Sequence, residues 1–533
     1  MQEAAILYEN KGGIKLALEN LADASLINDN KKIANDISDR LSQEIIIALI
    51  GPVGSGVSTA GKFLEEVLRE TFAYKVCPIL KPSTIIKAEA SRVSMVAPPR
   101  EPLNEYIDVM QTAGNSLREK FGGNYLTEKI VELISKFRTN NGGYKDDVAL
   151  PGRRAYIIDS LKNQEELDLL RSIYGETLCV FGVFAPDGIR KNRLESDGVP
   201  PDQVKKIIDR DQSEIATFGQ NTRKLFVQAD FFVCNDRKED ELRSRIVRFL
   251  NIMFDTSVHT PTRAESAMYE ASAAAANSAC MSRQVGAAIV SKGGELIAVG
   301  WNDVPRFGGG LYSEDSRSVY DDTSKSIVDR DHRCFNWGGK ICHNENRRFS
   351  IIDAVVRKIS DKGYIEKGIT VADIKKILVG TEIDSLIEFS RSIHAEMEAI
   401  LSVAREGKHS LAGATLYTSV YPCHNCARHI VASGIESVVY IEPYLKSLAI
   451  DLHNDVITED PNDIGKVIFR QFDGVAPRNY LKLFKPTADR KFNGKLSKSA
   501  PNIALPVFRI QLDSQAQYED KVIADLSHKE QTG

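Results

Sequence analysis

Two short motifs, His394-Ala-Glu396 and Pro422-Cys423-His-Asn-Cys426, constrain this chain more than any other feature. Each opens a helical segment after apolar sequence. Cysteines three apart at a helix start present both sulfurs on one face, and the positive helix end favours their thiolate forms. Two thiolates and one imidazole make three protein ligands and leave the fourth position of a tetrahedral zinc open, as a catalytic site requires. A structural zinc site would use four protein ligands, and a redox cysteine pair has no need of an upstream H-x-E.

The chain has 533 residues, enough for two or three domains. With 42% hydrophobic and 27% charged residues it has the composition of a soluble globular protein. A net charge of −4 argues against a surface built chiefly to hold polynucleotide. No apolar run approaches the roughly 20 residues that span a bilayer, and MQEAAILYEN lacks the pattern of a secretory signal. Eight scattered cysteines do not form a disulfide framework, so the cytoplasm is the expected compartment.

Residues 1–42 read as helical, with Ile14, Leu18, Leu21 and Leu26 at helical spacing. Residues 43–255 read as an α/β unit with a parallel sheet. The apolar run Ile45 to Ile50 enters a glycine-rich turn, Gly51-Pro-Val-Gly54-Ser55-Gly56-Val57-Ser58-Thr59, and an amphipathic helix follows. Runs at 155–158, 179–184 and 230–234 supply further strands, and 239–254 a closing helix. The turn follows the P-loop pattern G-x-x-x-x-G-K-[ST], but Val57 stands where lysine belongs. Backbone amides and the helix N-terminus can still cradle phosphate. Ser58 can meet Mg2+, and Asp159 fits a metal partner, with a plain strand-end aspartate as the alternative. The ammonium on which phosphoryl transfer depends is missing. Arg190, Arg193 and Ala229-Asp230 resemble the lid and closing strand of nucleotide kinases. The expectation is a kinase-like P-loop domain that binds a nucleotide without phosphorylating.

Residues 262–513 read as a second, three-layer α/β/α domain interrupted by a charged insertion at 303–392, and 514–533 as a polar, mobile tail. Within the insertion, His332, Cys334, Cys342 and His343 offer two nitrogens and two sulfurs for a second zinc. Their irregular spacing favours a lid with ordinary cysteines instead. Between Arg470 and Lys498 lie eight Lys/Arg and two acidic residues, with four aromatics interleaved. A solvated, subunit-contacting surface is the plain reading; the functional ones are a triphosphate-facing patch or a site for a regulatory RNA.

The paired motifs match the H-x-E…P-C-x-x-C pattern of zinc deaminases. Cys280-Met-Ser-Arg-Gln-Val-Gly-Ala-Ala-Ile-Val290, Trp301-Asn302 with Pro305, Tyr417-Thr-Ser-Val-Tyr-Pro-Cys423 and Val438-Val-Tyr-Ile-Glu-Pro-Tyr444 resemble the deoxycytidylate deaminase family, with Ser282 where arginine is usual. The resemblance implies hydrolytic deamination at C4 of cytosine, with zinc lowering the pKa of water to about 7. Glu396 would carry protons to N3 and to the departing ammonia. Asn302 would hold a sugar hydroxyl, Tyr421 would sit by the sugar or base, and the Ala395 backbone would read the cytosine edge. Arg283 would contact phosphate or serve only the surface.

The two-domain arrangement, with Gly474-Val-Ala-Pro-Arg-Asn-Tyr-Leu-Lys-Leu-Phe484, resembles bacterial anti-phage deoxycytidylate deaminases, which drain the dCTP and dCMP a phage needs. That implies free deoxycytidine nucleotides as substrates, a nucleotide effector at the P-loop domain or the deaminase interface, and a homo-oligomer, a hexamer. The alternatives are a dCMP deaminase of nucleotide salvage, an editor of cytosine in single-stranded polynucleotide, and a binding protein led by the P-loop domain. The absent lysine counts against the last.

Overall fold

The computed structural model describes residues 37–212, 221–236, 239–366, 368–378, 381, 383, 386–444 and 446–532. The expected helix at 1–42 therefore falls almost wholly outside the described residues. Among those described, no helix is long and apolar enough to cross a membrane.

The described residues form two six-stranded sheets. In the first, Phe231–Cys234, Leu178–Phe184, Ile45–Ile50, Arg154–Asp159 and Lys75–Val76 lie side by side and parallel. Every residue of Ile45–Ile50 is buried, as a strand covered on both faces demands. Ile45, Ile47 and Leu49 pack with Val57, Leu64 and Leu68 of the helix Val57–Glu70 and with Phe249. Ile46, Ala48 and Ile50 pack on the other face with Leu117, Ile130 and Leu170. The period-two alternation of side chains thus separates two cores.

In the second sheet, Ile457–Thr458, Val467–Gln471, Ser437–Glu442 and Thr415–Val420 run parallel, and Gly286–Val290 and Leu296–Trp301 extend it antiparallel. The helix Arg263–Ala275 covers one face through Ala267, Met268 and Ala271. Helices Ala395–Glu406 and His424–Ala432 cover the other through Ala399, Ala427 and Ile430. Two glycines permit this closeness: a Cβ on Gly286 would lie 1.9 Å from the Ala271 carbonyl oxygen, and one on Gly300 2.4 Å from that of Ala395. The insertion at 303–392 contains the hairpin Ser318–Asp321/Ser326–Asp329 and helices His343–Asp361 and Val371–Leu378.

After Gln471 the chain turns back to the first sheet. Gly474–Val475 pairs antiparallel with Phe231–Phe232 and becomes its sixth strand. The basic stretch then lies against the first domain: Arg478 pairs with Asp230, Lys482 with Glu176 and Lys498 with Asp255. Three of its eight cations are thereby engaged inside the chain. The tail expected to be mobile from 514 is instead the helix Leu512–Thr532, packed on Tyr125–Asn140. Its composition misleads because the buried face is partly polar: Gln515 and Glu519 are buried beside Leu512, Ala516 and Leu526 and find charged partners there.

Candidate metal centre and phosphate loop

His394 is the N-cap of Ala395–Glu406 and Cys423 that of His424–Ala432; both have extended backbones and neither caps its helix with its side chain. Those side chains are thus free to face one another across the two helix starts. Cys426 sits three residues after its cap, the spacing at which cap and helix side chains meet. His394 Nδ1 lies 3.4 Å from Cys423 Sγ and 3.3 Å from Cys426 Sγ, and the three donor atoms lie within 4.8 Å of one another. Two sulfurs and one imidazole nitrogen at that spacing fit zinc with one position open. The Cys423 thiol is held well below the usual range by its hydrogen bond with Cys426, against burial, and with help from His394. His394 is raised to about 9, chiefly by its hydrogen bond to Cys423. A thiolate is therefore ready for a cation, and metal binding displaces protons from the set.

Glu396 is buried beside the ligands, and burial raises its carboxyl above the ordinary value. That is the direction a proton carrier working near neutral pH requires. It lines a cavity of about 510 Å3 with His394, Ala395, Cys423, Asn302, Tyr421 and Arg283, so the structure brings the expected residues together. Their contacts refine the expectations. Asn302 Oδ1 accepts from the Val285 amide at 2.7 Å and Nδ2 donates to the Arg283 carbonyl at 2.8 Å, so this side chain also shapes the loop. Arg283 forms an ion pair with Glu442. The Tyr421 ring packs edge-on against Tyr440 and Phe469 at centroid distances of 4.8 and 5.4 Å.

The second zinc set is not assembled. Among the described residues, the only group of three or more donors close enough to share a metal is His394, Cys423 and Cys426. Cys334, Cys342 and His343 instead line the same cavity, and His332 faces the Trp337 ring at 5.8 Å. Cys342 is the extended N-cap of the helix that His343 begins, and the His343 ring lies 6.2 Å from that of Trp337. Arg348, Arg391 and Lys446 also line the cavity. They lie far apart in sequence on segments without a motif, so no sequence signal marked them.

In the first domain, residues 51–56 join the central strand to the helix Val57–Glu70, with Gly54 and Gly56 at φ +80°. Ser58 Oγ donates to Asp159 Oδ2 at 2.6 Å, bringing together the two expected magnesium donors. Val57 is buried in the apolar core. Two lysines outside any motif stand beside the loop: Lys81 Nζ lies 3.1 Å from Asp159 Oδ2, and Lys162 Nζ donates to the Gly51 carbonyl at 2.8 Å.

A His/Cys/Cys centre with a buried glutamate beside it, set on helices over a mixed sheet, has the donor arrangement of the zinc-deaminase pattern. Residues 261–442 match the family model of the cytidine and deoxycytidylate deaminase zinc-binding region. This chain is 51% identical over 55 residues to the deoxycytidylate deaminase of Enterobacteria phage T2, a match covering 10% of this chain and 29% of that protein. It is 44% identical over 55 residues to ComE operon protein 2 of Bacillus subtilis strain 168, again 10% and 29%. The chain thus spans under a third of the length of these curated relatives. Among solved structures, the apo dCMP deaminase of the cyanophage S-TIM5 aligns over 40% of this chain and all of its own, at 17% identity and a TM-score of 0.21.

Proposed function

We propose that the protein is a zinc-dependent hydrolytic deaminase of free deoxycytidine nucleotides, converting dCMP and dCTP to dUMP and dUTP with release of ammonia. The observation that carries this reading is the buried Glu396 beside the His394/Cys423/Cys426 centre at a cavity of about 510 Å3, a volume in the range of small-ligand sites. Zinc, when bound, supplies a nucleophile at neutral pH. Glu396 would relay the two protons of the attacking water in turn, the first to N3 and the second to the departing amine. The Ala395 amide, in the first helical turn and without an intrahelical partner, receives the cytosine edge. Arg283, Arg348, Arg391 and Lys446 give the cavity wall the charge that a phosphorylated nucleoside needs.

In the same reading the P-loop domain holds a nucleotide effector, the chain assembles as a homo-oligomer, a hexamer, and the physiological setting is depletion of deoxycytidine nucleotides during phage infection. The resemblance of the two-domain arrangement to anti-phage deaminases supports that setting. Ammonia release by purified protein is to be compared for dCMP, dCTP, deoxycytidine and a cytosine-containing single strand. Turnover of the free nucleotides is expected. Uracil formed in the single strand, with dCMP and dCTP untouched, would replace this reading by the editor.

A further inference from the structure

A P-loop normally meets the charge of its nucleotide with a loop lysine and a divalent cation held by the loop hydroxyl and a strand-end aspartate. Here the lysine is Val57, and the place of the cation is already taken. Ser58 Oγ and Asp159 Oδ2 are in direct contact, and the Lys81 ammonium stands against both, 3.4 Å from the hydroxyl and 3.1 Å from the carboxylate. The backbone fixes this position. The Leu80 amide donates to the Ile157 carbonyl and the Asp159 amide to the Leu80 carbonyl, each at 2.8 Å. Lys81 follows directly, as the extended N-cap of the helix Pro82–Glu89. Mg2+ requires oxygen ligands at roughly 2.0–2.1 Å in near-octahedral geometry. An ammonium in contact with both donors blocks that geometry and repels the ion.

The loop remains built for an anion. Four of its carbonyls are already held by side-chain donors: Gly51 by Lys162 at 2.8 Å, Val53 by Arg190 at 2.9 Å, Gly54 by Arg193 at 3.1 Å and Ser55 by Asn235 at 2.8 Å. The Val53 amide already donates to a carboxylate, that of Asp211, at 2.8 Å, and Lys162 bridges to the same group at 2.7 Å. The Ser55 hydroxyl, fully buried in the loop, has no hydrogen-bond partner among the described residues.

We propose that this loop binds the phosphates of a nucleotide without a divalent cation, with Lys81 taking the cation's place between Ser58 and Asp159 and supplying the charge that Val57 lacks. The inference rests on the reading that the first domain binds a nucleotide. Its consequence is an effector site that senses nucleotide level independently of magnesium. It also explains why the site need not transfer phosphate, since no metal bridges the β and γ oxygens.

The test is calorimetric titration of the full, zinc-loaded chain with ATP and with inorganic tripolyphosphate, neither of which carries the cytosine that the zinc cavity would read. Each titration is run with Mg2+ and in buffer free of divalent cations, without a chelator that would strip the zinc. Wild-type affinity is expected to agree within about twofold between the two buffers. Lys81→Ala should weaken binding about tenfold or more in the cation-free buffer, the loss of one charge-assisted bond, and Mg2+ should restore part of it. Lys81→Gln, which keeps side-chain length, should behave in the same way, and retained zinc content confirms the fold of both. Wild-type binding that requires Mg2+, or full affinity of both variants without it, overturns the inference and leaves nucleotide binding standing. Failure of both probes in both buffers overturns the nucleotide reading as well.

Discussion

Arg138 Nη2 donates to Glu519 Oε1 at 2.9 Å, joining residues 381 positions apart, and both side chains are fully buried. The same guanidinium meets Glu44, which Arg154 also contacts at 2.6 Å, so two acids and two arginines balance beneath the C-terminal helix. Removing one partner of a buried pair leaves an uncompensated charge. Glu519→Leu is expected to lower stability by about 3–5 kcal/mol, read as a fall in the urea midpoint. Deleting the helix altogether should abolish the folded first domain. An unchanged midpoint in Glu519→Leu would show that the helix is only a surface appendage.

Glu265 ties the two domains. It accepts from Arg248 at 2.8 and 2.7 Å, from the Thr262 amide at 2.7 Å and from the Val475 amide at 2.9 Å. Burial alone would raise its carboxyl, but these donors outweigh burial and hold it below its ordinary value. A depressed folded value means the stabilisation is fully present above the unfolded value, about 4.3, and is lost as pH falls through the folded one. Glu265→Gln should therefore be less stable than wild type at pH 7, and the gap should narrow as the pH drops below about 4. Urea denaturation across that range checks the sign; a gap that widens with acid contradicts it.

The parts of the fold legible in the sequence are those whose signal is local. Ile45 to Ile50 reads as a buried strand because six apolar residues run into a glycine turn, and the two metal motifs read as helix starts because each follows apolar sequence, with His394 and Cys423 at the N-cap positions. The parts that were not legible depend on distant partners. Gly474–Val475 is too short to show an alternation, and only pairing with Phe231–Phe232 makes it a strand of the first sheet. The face of Leu512–Thr532 that carries Gln515 and Glu519 looks solvent-facing until Arg138 and Glu44 are placed opposite. Lys81 gave no signal because its contact with Asp159 comes from strand pairing between distant segments.

Gly56 tests the phosphate loop apart from the zinc site. It sits at φ +80°, and a Cβ there would lie 2.1 Å from Asn235 Nδ2, the group holding the Ser55 carbonyl. Gly56→Asp adds a like charge where phosphate would rest. Thermal stabilisation by nucleotide should vanish, whereas zinc content, measured by elemental analysis, should remain at the wild-type level. Full stabilisation in this variant would mean that the loop is not where nucleotide binds.

Gly300 sets the height of the glutamate helix above the sheet. A Cβ there would lie 2.4 Å from the Ala395 carbonyl oxygen and 2.5 Å from the Ala399 nitrogen, both backbone atoms that cannot rotate away. Gly300→Ala must lift the helix that carries Glu396 and begins at His394. Overpacking of this kind costs about 1–3 kcal/mol, and a displacement of about 1 Å at a catalytic group can cost about 100-fold in rate. A folded protein with strongly reduced ammonia release is expected. Wild-type turnover would show that the helix has room to spare.

The metal ligands and Glu396 make opposite predictions, and that opposition tests the assignment of roles. Cys426 is fully buried, with its sulfur 3.3 Å from His394 Nδ1. Cys426→Ser replaces a sulfur that zinc would hold as a thiolate with a hydroxyl that does not ionise near neutral pH, so zinc should be lost from the purified protein and turnover with it. Glu396 belongs to the cavity but not to the three donors that share the metal position. Glu396→Gln keeps the shape and removes the transferable proton. Zinc content and thermal stability should stay near wild type, while kcat for dCMP falls by about 100-fold to 10,000-fold, the range of general acid–base catalysis. The two variants must be measured together, by elemental analysis and by ammonia release. Zinc lost from a well-folded Glu396→Gln protein would make Glu396 a ligand and not the proton carrier. Turnover kept in that variant would move proton transfer to another group in the cavity.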